Sequence, residues 1–250
     1  MRDPNKIVLN PDEPTKIVHT AEELGLDGLA LLEDFITENE EEHLVRCTDE
    51  EPEERWTTLA RTKRRVLHMG YAFDYDRKTA DEKSRIGDGK LPVYMQGIIE
   101  RMGDVPEIQE AIAAEDSSLP VQCTVNDYPR GAGMAPHIDT HSAFSGALVS
   151  LTCSGHTVME FRKQVDGITT DKRAIVLPRR SLLVLAGVAR YAWKHYIPIR
   201  KNDVIDGQLV RRPLRRVSYT FRSLRTNGPC KCAFPEHCDS QSATYFAASS

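Results

Sequence analysis

Short segments in which apolar and polar residues alternate fill most of the chain after Pro120, and this feature constrains the fold most. Side chains of a β-strand point alternately to its two faces, so a period of two predicts strands with one buried face. The candidate strands are residues 121–128, 147–153, 157–162, 174–177, 181–186 and 217–222. Many short strands preceded by helices predict an antiparallel sandwich or barrel, mainly β, with helices flanking one side.

The chain before Pro120 carries helix signals instead. Thr37 followed by Glu40 is a capping box, in which each side chain bonds to the backbone of the other residue, and it predicts a helix to about Cys47. The other elements predicted in this part are a strand at residues 26–32, a flexible loop at residues 76–91 and a helix at residues 93–102.

The composition bounds the class of protein. The 250 residues are 40% hydrophobic, enough for one sizeable domain with a buried core. A net charge of −4 does not by itself mark a nucleic-acid-binding protein, although binding follows the local distribution of charge. No segment approaches the roughly 18 to 20 apolar residues that span a bilayer, and the N-terminus has no apolar signal-peptide core. We therefore expect a soluble protein of the cytoplasm or nucleus without a membrane partner.

His137 and Asp139 are the first residues that indicate chemistry. Two residues apart in an extended segment, an imidazole and a carboxylate point to the same side. His195, which follows the strand predicted at residues 181–186, is the natural third ligand. Two histidines and one carboxylate on one face of a metal leave positions open for a cosubstrate and oxygen, as non-haem Fe(II) oxygenases require. For His-x-Asp alone, a surface coincidence is the alternative.

Arg216 and Arg222 strengthen this interpretation because they share one face of an alternating segment. Six residues of strand separate their backbones by about 20 Å. Two extended side chains that converge along that face would bind the two ends of a small dicarboxylate, since a guanidinium binds carboxylate bidentately. Asn126 and Tyr128, two apart on another predicted strand, would add amide and phenol donors. An exposed edge with paired surface arginines is the alternative.

Three of the six cysteines lie within nine residues near the C-terminus, and this spacing is more typical of a metal cluster than of a disulfide framework. These three are Cys230, Cys232 and Cys238. Tetrahedral Zn²⁺ needs a fourth ligand, for which His237 and His141 are the candidates. Because His141 continues the alternation of His137 and Asp139, a turn after Asp139 would have to redirect it. A reduced tail without metal is the alternative.

These residues together resemble the signature of AlkB-type dioxygenases in order and approximate spacing. The matching motifs are Asn126-x-Tyr128, His137-x-Asp139, His195 and Arg216-x5-Arg222, and the resemblance covers about residues 25–240. It implies a double-stranded β-helix (jelly-roll) core and an enzyme that uses Fe(II) and 2-oxoglutarate. It also implies that Arg216 with Tyr128 binds the far carboxylate of 2-oxoglutarate, and that Arg222 with Asn126 binds the carboxylate nearest the metal.

The segments around Asp139 and the C-terminal cysteines are similar to one branch of this family, the AlkB homologues that hydroxylate a modified wobble uridine in tRNA. In that branch the zinc ligands match His141, Cys230, Cys232 and Cys238, so the resemblance favours His141 over His237. The implied organisation is a dioxygenase domain at 21–225 with a nucleotide-recognition segment near 60–90, and a zinc-binding tail at 226–250. Residues 1–20 are polar and contain turn residues, so we expect them to form a flexible arm.

The implied substrate is the 5-methoxycarbonylmethyl side chain of wobble uridine in tRNA. The expected substrate contacts are Arg64, Arg65, Tyr71 and Tyr75, which would supply phosphate contacts and base stacking. A structural hairpin with surface cations is the alternative for these four residues. The animal protein of the branch also carries an RNA-recognition domain and a methyltransferase domain, and neither lies within these 250 residues. We therefore expect tRNA to be delivered by this domain itself, by a separate methyltransferase or by another tRNA-delivery protein.

Two other functions stay open at this point. One is an AlkB-type oxidative demethylase of N-methylated DNA or RNA, which would release formaldehyde. The other is a zinc-stabilised RNA-binding module with an inactive oxygenase core. The presence of both the ligand set and the arginine pair argues against an inactive core. Turnover of 2-oxoglutarate would separate the binding module from the two enzymes, and the product would separate the enzymes from each other.

Overall fold

The computed structural model describes residues 15–241. Its helices are α1 (Ala21–Leu24), α2 (Glu38–Asp49), α3 (Gln96–Met102), α4 (Pro106–Glu115) and α5 (Gly187–Tyr191). Its strands are β1 (Ile17–Val18), β2 (Leu29–Leu32), β3 (Thr57–Leu59), β4 (Arg64–Met69), β5 (Gln122–Pro129), β6 (Met134–His137), β7 (Phe144–Ser154), β8 (Thr157–Val165), β9 (Ile168–Leu177), β10 (Leu182–Leu185), β11 (Lys194–Ile197), β12 (Asn202–Ile205), β13 (Gln208–Arg211) and β14 (Arg215–Leu224). Within the described chain, none of the helices has the length and apolar character needed to cross a bilayer.

Two sheets form the jelly roll that the sequence predicts. The larger sheet has the strand order β2-β10-β7-β14-β5-β4-β3, and the smaller sheet has the order β1-β9-β8-β11-β6. The short β1 pairs with β9 in parallel, and the other pairings in both sheets are antiparallel. Strands β12 and β13 form a separate hairpin. The mainly β fold with flanking helices is therefore confirmed.

Strand β10 lies between two hydrophobic cores, one between the sheets and one beneath the helices. Leu183 and Leu185 point into the interior between the sheets, where they meet Phe161 and Ile175 from the smaller sheet. Leu182 and Val184 point to the opposite face, in the core beneath the helices. A strand that is buried on both faces has no polar face to show, so its sequence is continuously apolar rather than alternating.

Three helices, α2, α3 and α4, cover the outer face of the larger sheet. The capping box of Thr37 and Glu40 is present, and α2 runs two residues further than predicted, to Asp49. The phenol of Tyr219 on β14 lies 2.6 Å from the hydroxyl of Thr48 and donates to the carbonyl oxygen of Leu44. Because these polar groups are buried together, the hydrogen bonds fix α2 on the sheet that carries the candidate site.

Some predicted boundaries need correction. The arm predicted for residues 1–20 is too long, because Ile17–Val18 already pairs with β9 and Thr20 caps α1; residues 1–14 lie outside the described residues. The predicted loop at residues 76–91 contains a short 3₁₀ turn at Glu82–Ser84. The last part of the predicted zinc tail, residues 242–250, also lies outside the described residues.

Candidate metal centre and cosubstrate cavity

His137, Asp139 and His195 form one cluster, although they come from two strands and a loop. His137 is the last residue of β6, and His195 lies opposite it on β11, with ring centroids 4.4 Å apart. Asp139 follows just after the strand, and one ligand atom from each of the three side chains lies within 4.8 Å of the others. The structure therefore brings together the three residues predicted as iron ligands.

Both histidines are held as neutral imidazoles at neutral pH. Burial lowers the pKa of His137 and of His195, and it outweighs the opposing attraction of Asp139. Nδ1 of His137 lies 2.8 Å from the carbonyl oxygen of Ala135, and the tautomer that donates there leaves the lone pair of Nε2 free. A hydrogen bond of this kind fixes the ring orientation of a metal-binding histidine.

Asp139 is a buried, ionised carboxylate with one oxygen available. Burial raises the pKa of this carboxyl, but the charge of Arg222, followed by other neighbours, holds the pKa well below its ordinary value. Oδ2 is buried and has no hydrogen-bond partner within residues 15–241. An unpaired buried carboxylate oxygen is costly, and a cation at this point would remove that cost. Two neutral imidazoles and a carboxylate are the donor set of non-haem Fe(II) centres, so these residues fit Fe(II).

A cavity of about 400 Å³ opens beside this cluster, and its lining is cationic. Asp139 is the one carboxylate in the lining that the described chain provides. The cationic residues of the lining are Arg61, Arg64, Lys78, Arg216 and Arg222. In a chain whose net charge is negative, this concentration of positive charge makes the cavity a site for anionic ligands.

Arg216 lies at one end of the arginine face of β14. Its guanidinium is buried, donates to Ser218 Oγ and Thr152 Oγ1, and lies 5.2 Å from the ring centroid of Tyr128. Burial lowers the pKa of this guanidinium, and its Nε has no hydrogen-bond partner within the described residues. Hydroxyl acceptors do not neutralise a buried cation, so the site fits a carboxylate bound beside Arg216 and Tyr128.

Arg222 lies at the other end of the same face, near the metal cluster. Its Nη1 donates to Gln122 Oε1 and to Thr124 Oγ1, both at 3.0 Å, and its Nε has no partner in the described chain. Asn126 lies opposite Ser218 on the neighbouring strand, between the two arginines but nearer Arg216 in register, and its amide donates to Thr220 Oγ1. Sequence reasoning overlooked Gln122 and Thr124, although both alternate with Asn126 along β5.

A flap of residues 71–86 and the start of β4 cover part of this cavity. Of the four predicted substrate contacts, Arg64 and Tyr75 line the cavity. Arg65 is on the opposite face of β4, where it pairs with Glu53 and Asp127. The hydroxyl of Tyr71 donates to Glu82 on the flap and does not line the cavity. The structure therefore does not bring Arg65 and Tyr71 to the candidate site.

Two aromatic residues that sequence reasoning did not identify complete this wall. The ring of Phe73 on the flap lies 5.2 Å from that of Tyr75 and 5.6 Å from that of Phe144. Phe144 begins β7, and the guanidinium of Arg222 lies 5.1 Å from its ring centroid. The mixture of aromatic and cationic residues in the sequence from Arg64 to Tyr75 was the available signal. The aromatic wall provides flat apolar surface next to the metal cluster, suited to stacking on a planar ring.

A second cluster consists of the predicted zinc ligands. One atom from each of His141, Cys230, Cys232 and Cys238 lies within 4.8 Å of the others. Burial lowers the pKa of His141 to about 4, so its imidazole is neutral at neutral pH. Burial raises the pKa of Cys232 to about 12, so a metal ion would have to displace its proton on binding. Three thiols and one neutral imidazole in this proximity fit tetrahedral Zn²⁺.

The turn that this arrangement requires is present between the two clusters. Residues 141–143 form a turn closed by a hydrogen bond from the amide of Phe144 to the carbonyl oxygen of Thr140. His141 is directed to Cys232, whose Sγ lies 3.5 Å from its Nδ1. His237 lies outside this cluster, with its Nε2 3.9 Å from Glu236. The geometry therefore favours His141 over His237 as the fourth member.

The chain matches a known protein family over most of its length. The family model described as the 2OG-Fe(II) oxygenase superfamily matches residues 28–222. A solved oxidoreductase of the 2OG-Fe(II) oxygenase family from Burkholderia pseudomallei has a TM-score of 0.53, and the match covers 86% of this chain and 98% of that one. The two sequences are 13% identical, so this likeness concerns the fold alone.

Two curated relatives are more similar in sequence. "Alkylated DNA repair protein ALKBH8 homolog" of Arabidopsis thaliana is 41% identical over 95% of this chain and 69% of its own length. "tRNA (carboxymethyluridine(34)-5-O)-methyltransferase alkbh8" of Xenopus tropicalis is 34% identical over 86% of this chain and 34% of its own length. The chain thus spans about two thirds of the plant relative and one third of the frog relative.

Proposed function

Because the chain belongs to the 2OG-Fe(II) oxygenase superfamily, we propose that it hydroxylates a modified nucleobase, the 5-methoxycarbonylmethyl side chain of wobble uridine in tRNA. The observation that carries the proposal is the position of the cluster of His137, Asp139 and His195. It lies in the wall of a cavity that combines a cationic lining with an aromatic wall. A dicarboxylate cosubstrate and a nucleic acid are both anionic and would bind to the cationic lining. A nucleobase is planar and would stack on the aromatic wall.

His137, Asp139 and His195 would hold Fe(II), which, when bound with 2-oxoglutarate, supplies the activation of oxygen for hydroxylation of a C–H bond. The task of the protein is to position the reactants. Arg216 and Tyr128 would hold the far carboxylate of 2-oxoglutarate, while Arg222 and Asn126 would orient the end nearest the metal. The buried hydrogen bonds of Arg222 to Gln122 and Thr124 fix its guanidinium before the cosubstrate arrives, which reduces the entropy lost on binding.

The remaining cations of the lining are available for the nucleic acid. Arg64 lies in the cavity and Lys78 is carried by the flap, so both can contact phosphates beside a base stacked on the exposed ring of Tyr75. Phosphate contacts position a nucleic acid, whereas stacking and contacts to the base edge select the nucleotide. Tyr75 is 42% exposed and offers such a stacking surface.

The names of the relatives support nucleic acid as the substrate class and differ in the type of lesion or modification. The frog relative is named for carboxymethyluridine at position 34 of tRNA, and the plant relative for alkylated DNA. We favour the wobble uridine because His141 and the three cysteines follow the pattern of the wobble-uridine branch. Demethylation of an N-methylated base uses the same centre and is the second candidate.

The test is mass spectrometry of nucleosides after reaction. Purified protein with Fe(II), 2-oxoglutarate and ascorbate is incubated with tRNA that carries 5-methoxycarbonylmethyl-uridine, and His137→Ala is the control. We expect the modified nucleoside to gain one oxygen with the wild type and not with the variant. Formaldehyde and succinate from N-methylated DNA or RNA, without that gain, would favour the demethylase. Binding of RNA without any succinate would favour a zinc-stabilised binding module.

A further inference from the structure

The two clusters are joined by two short stretches of chain. In the first stretch, Asp139 of the iron cluster and His141 of the cysteine cluster are separated by Thr140 alone. In the second stretch, α5 ends at Tyr191 and the chain reaches His195 four residues later. The ring of Tyr191 lies 4.8 Å from that of His141, edge to face. Each stretch therefore contacts the cysteine cluster at one end and the iron cluster at the other.

Arg190 fastens these two stretches to each other between the clusters. It is only 3% exposed. Its Nη1 donates to the carbonyl oxygen of Asp139 at 2.7 Å, and its Nη2 donates to the carbonyl oxygen of Thr140 at 3.3 Å. A buried guanidinium that binds two successive carbonyl groups fixes the backbone that carries the Asp139 carboxylate.

The other side of the same loop is fixed from the C-terminal tail. The Asp239 carboxylate accepts hydrogen bonds from the amides of His141 and Ser142, and Arg225 donates to the carbonyl oxygen of His141. Asp239 directly follows Cys238, a member of the cysteine cluster. Closure of that cluster around a metal ion would therefore hold the loop against Arg190.

We propose that Arg190 is a positioning residue that couples the cysteine cluster to the iron cluster, so that zinc at the first strengthens metal binding at the second. A ligand at one site can raise affinity at another only through a contact that differs between the two states. Here that contact is the pair of hydrogen bonds from Arg190 to the carbonyl oxygens of Asp139 and Thr140. Zinc at the cysteine cluster would order the loop that carries these carbonyl groups. The inference rests on the proposed metal centres and does not depend on which nucleic acid is the substrate.

Binding of Mn(II) to the iron cluster tests the proposal without catalysis. Mn(II) prefers oxygen and nitrogen ligands over thiolates, so it reports on the three-residue cluster, and free Mn(II) is measured by electron paramagnetic resonance. We expect Arg190→Lys, which keeps the charge but loses the planar pair of donors, to weaken Mn(II) binding about tenfold. Its zinc content should stay that of the wild type.

Arg212→Lys is the matched control. Arg212 is similarly buried and also donates to a backbone carbonyl, that of Pro198. It pairs in addition with the buried Asp203, so its replacement carries at least as large a structural cost, but away from the clusters. We expect this variant to bind Mn(II) as the wild type does. Equal weakening in both variants, or none in Arg190→Lys, would overturn the coupling. Failure of the wild type to bind Mn(II) would contradict the iron cluster itself and both proposals with it.

A double-mutant cycle gives a second, independent measurement. Cys232→Ser, which removes one member of the cysteine cluster, should lower the Mn(II) affinity of an otherwise wild-type chain. In a chain that already carries Arg190→Lys, the same change should have little further effect, because the connecting contact is gone. Additive effects of the two substitutions would overturn the role of Arg190. If Cys232→Ser does not fold, the comparison of Arg190→Lys with Arg212→Lys decides by itself.

Discussion

Nη2 of Arg222 lies 3.5 Å from Oδ1 of Asp139, so the arginine at one end of β14 and the carboxylate of the metal cluster share one electrostatic environment. Both side chains are largely buried, where a charge interacts more strongly than it does in water. Arg222 thus has two tasks. It keeps Asp139 ionised, as a metal ligand must be, and it presents its remaining donors to an anionic cosubstrate beside the metal.

We expect Arg222→Gln to weaken 2-oxoglutarate binding about a hundredfold, because removal of one partner of a buried charge pair typically costs about 2–5 kcal/mol. The same change should raise the pKa of Asp139 toward its ordinary value, so metal binding should become more sensitive to acid. Isothermal titration with 2-oxoglutarate in the presence of Mn(II) measures the first effect.

Arg215→Gln is the control for this change, since Arg215 is on the same strand but on its opposite face. It points away from the cavity and pairs with Asp49 and Asp127. Its replacement should lower stability without changing the affinity for 2-oxoglutarate. Similar losses of affinity in both variants would contradict the assignment of Arg222 to the cosubstrate.

His68 should make the metal-free protein sensitive to mild acid. Burial, and then the charges of Arg222 and Arg64, lower its pKa from 6.5 to about 4. Between these two values the unfolded chain binds a proton that the folded chain does not, so the free energy of unfolding falls as pH falls. From pH 7 to pH 5 the contribution of His68 is about 2 kcal/mol.

His68→Gln should therefore reduce the loss of stability between pH 7 and pH 5, measured by urea unfolding at each pH. The other buried histidines contribute in both proteins, so the difference between variant and wild type isolates His68. A pH dependence in His68→Gln equal to that of the wild type would show that His68 is not held neutral.

The geometry of the cysteine cluster predicts which histidine is the fourth zinc ligand. We expect His141→Ala to lose most of its bound zinc and to unfold at lower temperature, because a structural zinc site contributes directly to folding. His237→Ala should keep one zinc ion per chain, since His237 lies outside the cluster. Metal analysis by mass spectrometry and thermal unfolding measure the two effects. Loss of zinc from His237→Ala alone would reverse the assignment.

The alternating strands were predictable because a half-buried strand must show its polar face in the sequence. All six predicted segments are strands, although β10 is continuously apolar, and the arginine face of β14 is as the alternation predicts. Strands β6 and β11 were not predicted, although they carry His137 and His195. Each has only four residues, and β11 pairs with both β6 and β8, so the existence of these strands depends on partners that lie far away in the chain.

The sequence could not predict which distant residues contact the site. Arg190 is an ordinary helix residue in the sequence, and only the tertiary structure brings it to the carbonyl oxygen of Asp139. The grouping of Arg64 with Arg65 failed for a local reason. The segment was not recognised as a strand, and consecutive residues of a strand point to opposite faces.

This opposition of Arg64 and Arg65 provides a matched pair of variants for the substrate. Arg64 is buried in the cavity wall, with Nη1 3.4 Å from the hydroxyl of Tyr128, whereas Arg65 stacks on Trp56 and pairs with Asp127 outside. We expect Arg64→Ala to lower kcat/KM for modified tRNA at least about tenfold, through loss of a charged contact of about 1.5–3 kcal/mol. Arg65→Ala should lower the unfolding temperature instead and leave kcat/KM of the folded enzyme near that of the wild type.

The two variants also distinguish a nucleic acid contact from a cosubstrate contact. Phosphate binding weakens as salt rises, so the difference between Arg64→Ala and wild type should shrink between about 50 and 200 mM salt. If Arg64 instead serves 2-oxoglutarate through Tyr128, the variant should show a raised KM for 2-oxoglutarate and an unchanged salt dependence. An equal loss of activity in Arg64→Ala and Arg65→Ala would mean that the strand contributes only to stability, and the substrate would then have to be bound by the flap and Tyr75.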